Sequence, residues 1–365
     1  MDLATPHRVP LGWLRENGSE SVRLRAARDL APTPPPDLAD LEAGVLESKP
    51  TTAIAKKQAE DGTWGENLLG IAPVAKEGIK DVGTVAQYRR LVHLGLPSGS
   101  RPYKLADRML FRLLSRDEDP SLLFEYQKTV KVAPGAEAWV RDLGREAATC
   151  ALAEAGHLED PRIRGSAHRI ASAVSQFLRG PLSENPFSKS GKSLILNPEA
   201  HPPSWYSLAM VAAMPNLQRE RAGLMERLGT YLSKPSSKRA FVIPVGRRNI
   251  KPTHLLLGDP MESDARGNVK DLPLALLFIE LMARLGKAAD SPLVMRVLHR
   301  LWGECNDRGV WSPKKLTSPP KAGNVASYHF YPLQVEPRTA EARAVDVTFR
   351  LALIAMLMGR PLEYT

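Results

Sequence analysis

Lys56-Lys57-Gln58-Ala59-Glu60-Asp61-Gly62-Thr63-Trp64-Gly65 is the stretch whose reading decides the architecture of this chain. It closes an apparent helix over 51–59 with an Asp-Gly turn and then drops a tryptophan into whatever lies below. Glycine takes the positive φ that stops a helix without a Cβ penalty, and the indole that follows covers the exposed helix end. A looser copy lies near the other terminus: Leu301-Trp302-Gly303-Glu304-Cys305-Asn306-Asp307-Arg308-Gly309-Val310-Trp311. Both run helix, polar turn, glycine, tryptophan.

Between these copies the chain repeats at a spacing of roughly 60–70 residues, the sign of a stacked helical unit. Each unit has an apolar helix ending in glycine, a short proline-bearing loop, and a more amphipathic basic helix. The pairs are 84–95 with 103–114, 145–156 with 162–178, 204–214 with 218–232, and 272–286 with 293–302. A last apolar helix spans 339–358. The first helix of each unit is apolar nearly all round, as in Leu272-Pro273-Leu274-Ala275-Leu276-Leu277-Phe278-Ile279, and such helices are buried. The second presents basic residues on its outer face, for example Arg219, Arg221 and Arg227. Buried helices alternating with half-buried ones predict closure into a double ring rather than an open solenoid.

Ahead of the repeat, 10–31 reads as two short helices broken at Asn17-Gly18, with Ser19 as N-cap of the second. Pro32, Pro34, Pro35 and Pro36 then form a stiff connector. The division expected is an N-terminal helical extension, 1–36, and one domain, 37–365. Four longer joins, 115–139, 181–203, 234–271 and 312–338, read as irregular. In a closed ring they gather over one mouth, and loops of this length are often functional.

Composition bounds the function less tightly. Apolar residues at 43% support a sizeable core, while aromatics at 6% and few β-branched runs favour helix. A formal charge of +10 spread over 365 residues is moderate; it permits an anionic partner, nucleic acid included, and specifies none. Cys150 and Cys305 belong to no CxxC pair and read as free thiols in apolar helices. Residues 1–6 lack a basic segment leading into an apolar one, so no secretory leader is expected. No uncharged apolar run reaches ~18 residues, which predicts no membrane span. A cytoplasmic location is the expectation.

The Gln58-to-Trp64 segment is similar to the repeated Gln–Gly–Trp motif of terpenoid cyclases and protein prenyltransferases, the squalene-cyclase type of repeat. The hairpin pattern carrying it covers nearly the whole chain. More narrowly, Trp13-Leu14, Ser21-Val22-Arg23-Leu24-Arg25-Ala26-Ala27-Arg28-Asp29-Leu30 and the turn Asp160-Pro161-Arg162 after Gly156 resemble bacterial single-barrel members without an assigned reaction. The resemblance implies an all-α fold, an α/α toroid of five or six helical hairpins. It also implies an apolar central cavity for an isoprenoid or other lipidic ligand. Tyr88, Trp205, Tyr206, Phe278 and Phe349, from the first helices, are then the candidate cavity residues, where π faces would stabilise a cation.

Several departures weaken the chemistry that the resemblance implies. The Asp-x-Asp-Asp of protonating cyclases is absent; the nearest acidic group is Asp259-Pro260-Met261-Glu262-Ser263-Asp264 with Asp271. Asp117-Glu118-Asp119 only superficially matches a diphosphate-holding cluster, and the zinc ligands of prenyltransferases have no counterpart around Cys305. No Gly-x-Ser-x-Gly elbow occurs, and Ser188-Lys189-Ser190-Gly191-Lys192-Ser193 lacks the first glycine of a phosphate loop. Paired acids on the barrel mouth, Asp264 with Asp346 or Glu146 with Asp346, are the remaining catalytic candidates. Glu146, Glu280 and Asp346 stand within otherwise apolar helices, with Arg145, Arg284 or Arg343 as expected partners. Arg247-Arg248-Asn249-Ile250-Lys251-Pro252-Thr253-His254 is the best anion-binding candidate, through Arg247, Arg248, Lys251 and His254. No metal site or cofactor is expected, except Mg²⁺ should a diphosphate bind. Two readings follow: a lipid-binding barrel, or a non-enzymatic protein docking a partner protein or anionic surface through basic loops.

Overall fold

The computed structural model describes residues 5–70, 82–115, 118–133, 135–190, 193–236, 240–245, 248–323, 328–334 and 339–365. Its class corrects the all-α expectation. Two sheets accompany the helices, so the fold is mixed α/β. Strands β1 (His7–Val9) and β6 (Leu362–Tyr364) pair in parallel, joining the two ends of the chain. A second, four-stranded sheet has the order β2 (Phe187–Ser190), β3 (Ser193–Leu196), β4 (Phe241–Val245), β5 (Arg248–Ile250). Its outer pairs are antiparallel and its central pair, β3 with β4, is parallel. These strands lie in the joins 181–203 and 234–271. At three to five residues each they are too short to show an alternating pattern, and Pro244 within β4 argues locally against a strand. Two local hairpins are joined into the sheet by the β3–β4 pairing, between segments distant in sequence.

Most helices follow the apolar periodicity, but the join 115–139, expected to be irregular, is helical over Gln127–Val132 and again from Ala136. They are α1 (Leu11–Asn17), α2 (Glu20–Arg25), α3 (Leu38–Glu47), α4 (Lys49–Ala55), α5 (Gly83–Leu94) and α6 (Arg101–Leu114). Next come α7 (Gln127–Val132), α8 (Ala136–Glu154), α9 (Pro161–Arg179), α10 (Trp205–Ala213), α11 (Pro215–Glu220) and α12 (Ala222–Leu232). The last are α13 (Leu272–Arg284), α14 (Pro292–Gly303) and α15 (Ala340–Leu357). One π-helical turn, Ala26–Leu30, continues α2. Helix starts carry their caps: Ser19 accepts from the Val22 amide, Asp271 from Leu274, and Thr339 from Ala342, each contributing about 1 kcal/mol.

Six helices pack in cyclic order: α2 on α5, α5 on α8, α8 on α10, α10 on α13, α13 on α15, and α15 back on α2. Outside them, α3 packs on α2, α6 on α5 and α8, α9 on α8 and α10, and α1 on α15. One continuous core runs through both layers.

The opening motif is a clamp between these layers. The Gln58 side-chain amide donates to the Gly62 carbonyl at 3.1 Å and to the Pro102 carbonyl of α6 at 2.9 Å. Trp64 is fully buried; its indole donates to the Ile54 carbonyl of α4 at 2.8 Å, and its amide to the Thr84 hydroxyl of α5 at 3.0 Å. The second copy repeats the arrangement: the Trp311 amide donates to the Thr348 hydroxyl of α15 at 3.1 Å, and its indole to Glu304 at 2.8 Å. Gly62 has φ +89°, and a Cβ there would lie 2.4 Å from the Leu105 carbonyl oxygen of α6. At Gly309, φ +85°, a Cβ would lie 2.0 Å from the Arg8 carbonyl oxygen of β1. The absent side chain is what lets each turn sit on a neighbouring backbone.

Gly62→Ala is therefore expected to cost about 2–3 kcal/mol in urea denaturation, from strain and displacement of α6. Gly12→Ala, in a helix with open space around the site, is expected to be neutral or to stabilise by up to about 1 kcal/mol. Equal effects at the two sites would refute the clamp.

Candidate functional site

At the centre of the ring the chain places charge. Arg89 of α5, 1% exposed, forms a forked pair with Glu154 of α8, Nε to Oε2 at 2.6 Å and Nη2 to Oε1 at 3.0 Å. Its third nitrogen meets His329 Nδ1 at 3.1 Å. That contact makes Nδ1 the acceptor and leaves the His329 proton on Nε2, and burial followed by the Arg89 charge holds the ring neutral. Burial pushes Glu154 up, but Arg89 and then His93 outweigh it and keep the carboxyl well below its ordinary range.

A second ionic group lies on α13 and α15. Arg350 reaches Glu280 at 3.1 Å, Asp346 at 3.3 Å and the Tyr331 carbonyl at 2.9 Å. Arg284 holds the other Glu280 oxygen at 2.9 Å. Burial raises Glu280, yet Arg284 and Arg350 prevail and bring it down to about 2. Asp346 goes the other way: burial raises it despite Arg350.

Aromatic rings fill the space between. Trp205 stacks on His329 with centroids 5.8 Å apart, Phe278 meets Trp205 edge-on at 6.4 Å, and Tyr206 meets His329 at 5.0 Å. Thus the expected cavity residues Trp205, Tyr206 and Phe278 pack on one another and on the ionic group. Phe349 lies beneath the Arg25 guanidinium. Tyr88 faces outward between layers, its hydroxyl donating to Asp107 of α6 at 2.6 Å. Among the described residues these five line no common cavity; His329, from segment 328–333, packs between Trp205, Tyr206 and the Arg89 guanidinium.

The acid candidates separate as well. Asp264 is exposed and accepts from the Arg266 and Asn268 amides and the Asn268 side chain. Those bonds, the Asn268 side chain first, lower its pKa. The turn 264–268 repeats 306–310 bond for bond: Asn306 accepts from the Arg308 and Val310 amides, and each turn closes with a first-residue amide on the fifth carbonyl. Asp264 is thus a turn residue in a third copy of the opening motif, its Gly267 seated on Arg296. Asp259 is buried, and burial raises it to about 6. Asp271 caps α13 and accepts from the Gly323 amide. Asp117 lies outside the described residues, and Asp119 caps the turn at Pro120.

Glu146 has a different setting. It is half-buried on α8 and accepts from the Ser204 hydroxyl at 2.6 Å; Arg145 instead pairs with Asp142. Desolvation raises its pKa against the Ser204 and Ser207 hydrogen bonds. Ser204 is also the N-cap of α10, accepting from the Ser207 amide at 3.0 Å. Its hydroxyl is therefore committed to Glu146 and Ser207, with no imidazole among its partners.

Glu146 and His254 lie on the same cleft. This cavity of about 590 Å³ runs between α8, α9, the 196–202 turn and the mixed sheet. Leu143, Ile170, Val174, Leu196, Ile243 and Leu255 supply its apolar wall, Trp139 an aromatic one, and Arg145 and Arg169 cations. His254 is 8% exposed and its ring makes no hydrogen bond to another described residue; burial lowers its pKa to about 4. Its backbone is fixed, the carbonyl accepting from the Trp205 amide at 2.8 Å. Within the basic loop only His254 joins this site. Lys251 is exposed, Arg247 lies outside the described residues, and Arg248 contributes its backbone to β5.

Arg89, Glu154, His93 and His329 were missed by sequence reasoning. The signal was available for Arg89 and Glu154, which sit as charges inside apolar helices just as Glu280 does. His329 gave none, because its segment reaches the ring centre only through tertiary packing. Among the described residues no group of three or more His, Cys, Asp or Glu is placed to hold a metal ion, and no helix is long and apolar enough to cross a membrane. Comparison with protein-family models, with curated proteins and with solved structures gives no match.

Glu154→Gln strands the buried Arg89 charge and is expected to cost about 3–5 kcal/mol; adding Arg89→Met should recover most of it, as read by urea denaturation. His7 and His254 both drop to about 4 through burial. As pH falls below the unfolded value of ~6.5, the unfolded chain protonates first. Stability is expected to decline from there to about pH 4, by up to ~1.4 kcal/mol per unit and group. His254→Gln should remove one group's share of that slope.

Proposed function

We propose that this protein binds an amphipathic, lipidic small molecule in the cleft between α8, α9 and the mixed sheet. Its apolar body lies against Leu143, Ile170, Val174 and Ile243, and its polar head meets Glu146 and His254. The supporting observation is the combination in one cavity of about 590 Å³ of apolar walls with a buried histidine, whose ring hydrogen-bonds no described residue, and a half-buried carboxyl. Ligand pockets of this size pair an apolar lining with a few polar groups that fix orientation. An isoprenoid is one member of this class, and Arg169 on the lining matches an anionic head. The ligand is thus assigned to this cleft and not to the ring centre. Should a reaction occur, Glu146 is the candidate acid, because burial raises its pKa above the usual carboxylate range.

A second reading draws on the filled ring centre: a non-enzymatic protein that docks a partner protein, nucleic acid or anionic surface through its basic loops. One experiment separates the two. The protein is incubated with farnesyl diphosphate and with a C16 fatty acid, with and without Mg²⁺, and examined by native and product mass spectrometry. The lipid reading expects retention of at least one of them, reduced about tenfold or more by Ala173→Phe, which fills the cleft. Wild-type protein that retains neither, or retention unchanged by Ala173→Phe, sinks it and leaves the docking reading.

A further inference from the structure

A second cavity, of about 500 Å³, opens where α2, α4 and α5 meet beside Gln334. It is separate from the cleft on α8 and shares none of its lining residues. Helix α5 explains its character. Tyr88 points to α6 and Arg89 to the ring centre, whereas Gln87 and Arg90, three apart on one face, line this cavity.

Both have polar atoms with nothing to bond. Gln87 is 6% exposed, and its Oε1 is buried without a hydrogen-bond partner. Arg90 Nε is likewise buried and unpartnered. Among the described residues Arg90 makes no ion pair or hydrogen bond. Buried polar groups are nearly always satisfied, so two orphans on one cavity wall point to a group supplied from outside. Every other full charge in the lining but one is positive: Lys49 and Lys57 flank the opening. The exception, Glu20, is neutralised by Arg23 at 3.3 Å. Pro50, Ala53 and Ile54 make the remaining wall apolar.

We propose that this cavity is a binding site for a phosphate monoester carried on a small organic body. An arginine Nε–H and a side-chain amide N–H₂ converge as donors, since the two ends of the Gln87 amide are interchangeable by a flip. The Arg90 and Lys57 charges at one small site favour a dianion over a monocarboxylate, and the guanidinium fork matches phosphate oxygens. The apolar wall takes the carbon skeleton. The same head group occurs on free metabolites and on phosphatidic acid, and the test has an arm for each.

Isothermal titration calorimetry of the full chain with glycerol 3-phosphate, inorganic phosphate and acetate reads the soluble arm. Co-sedimentation with phosphatidylcholine vesicles, with and without phosphatidic acid, reads the lipid arm. The expected result is saturable glycerol 3-phosphate binding with a dissociation constant below about 1 mM, and acetate at least about tenfold weaker. Arg90→Gln and Gln87→Leu should each weaken it about tenfold or more. Lys57→Gln, at an exposed position that leaves the core untouched, should weaken it about threefold. It keeps the test alive if either core-side variant fails to fold. Sedimentation only with phosphatidic acid, lost in the same variants, would assign the site to the lipid head group. No saturable binding in either arm, or affinities that the variants leave unchanged, overturns the proposal and leaves water as the partner of the two orphan groups.

Discussion

The forked Arg89–Glu154 pair is the constraint around which the interior is arranged. A guanidinium 1% exposed to solvent is tolerable only with a carboxylate in register and its other donors satisfied. That requirement fixes α5 against α8 and draws His329, with segment 328–333, into the ring. Arg350 extends the same logic to α13 and α15, binding Glu280 and Asp346 while gripping the Tyr331 carbonyl. Four of the six ring helices are thereby cross-linked through charge, and the segment between them is held at both His329 and Tyr331. The space that an apolar ligand would need is occupied by the groups that hold the ring together.

Glycine turns do the corresponding work at the periphery. Three turns of the same hydrogen-bonding pattern rest on a neighbouring backbone, at Gly62, Gly267 and Gly309. In two of them a tryptophan amide then bonds a buried threonine hydroxyl, Thr84 of α5 or Thr348 of α15. The common geometry explains why Asp264 looks acidic and exposed yet has no catalytic setting: it does what Asn306 does, accepting the amides of its own turn. It also ties the ends of the chain together, because Gly309 sits on β1, and β1 pairs with β6.

With the centre filled, the open space lies between layers rather than along the ring axis. The cleft on α8 exists because the mixed sheet stands off from α8 and α9 instead of packing into them. The cavity on α5 exists because α2 and α4 leave the Gln87–Arg90 face uncovered. Both combine apolar walls with a few polar groups, and the α5 cavity adds two polar atoms that the chain leaves unsatisfied.

Local pattern was enough to determine the helices. The apolar runs, the glycine stops and the cap at Ser19 predicted most of them, since helical periodicity and capping are set by residues within a few positions; α7 and the first turns of α8 fell in a join read as irregular. The Gln58–Trp64 clamp was legible for the same reason. Long-range contacts decided the rest. Two short hairpins, β2–β3 and β4–β5, became one sheet by the β3–β4 pairing across tens of positions, and β1 met β6 across hundreds, which turned an all-α expectation into a mixed fold. Charges inside apolar helices were visible, but their partners were not: Glu280 found Arg284 as expected and Arg350 besides, while Glu146 found a serine and Arg89 found Glu154. Whether a buried charge pairs, caps or waits for a ligand depends on which helix faces it, and only the folded chain settles that.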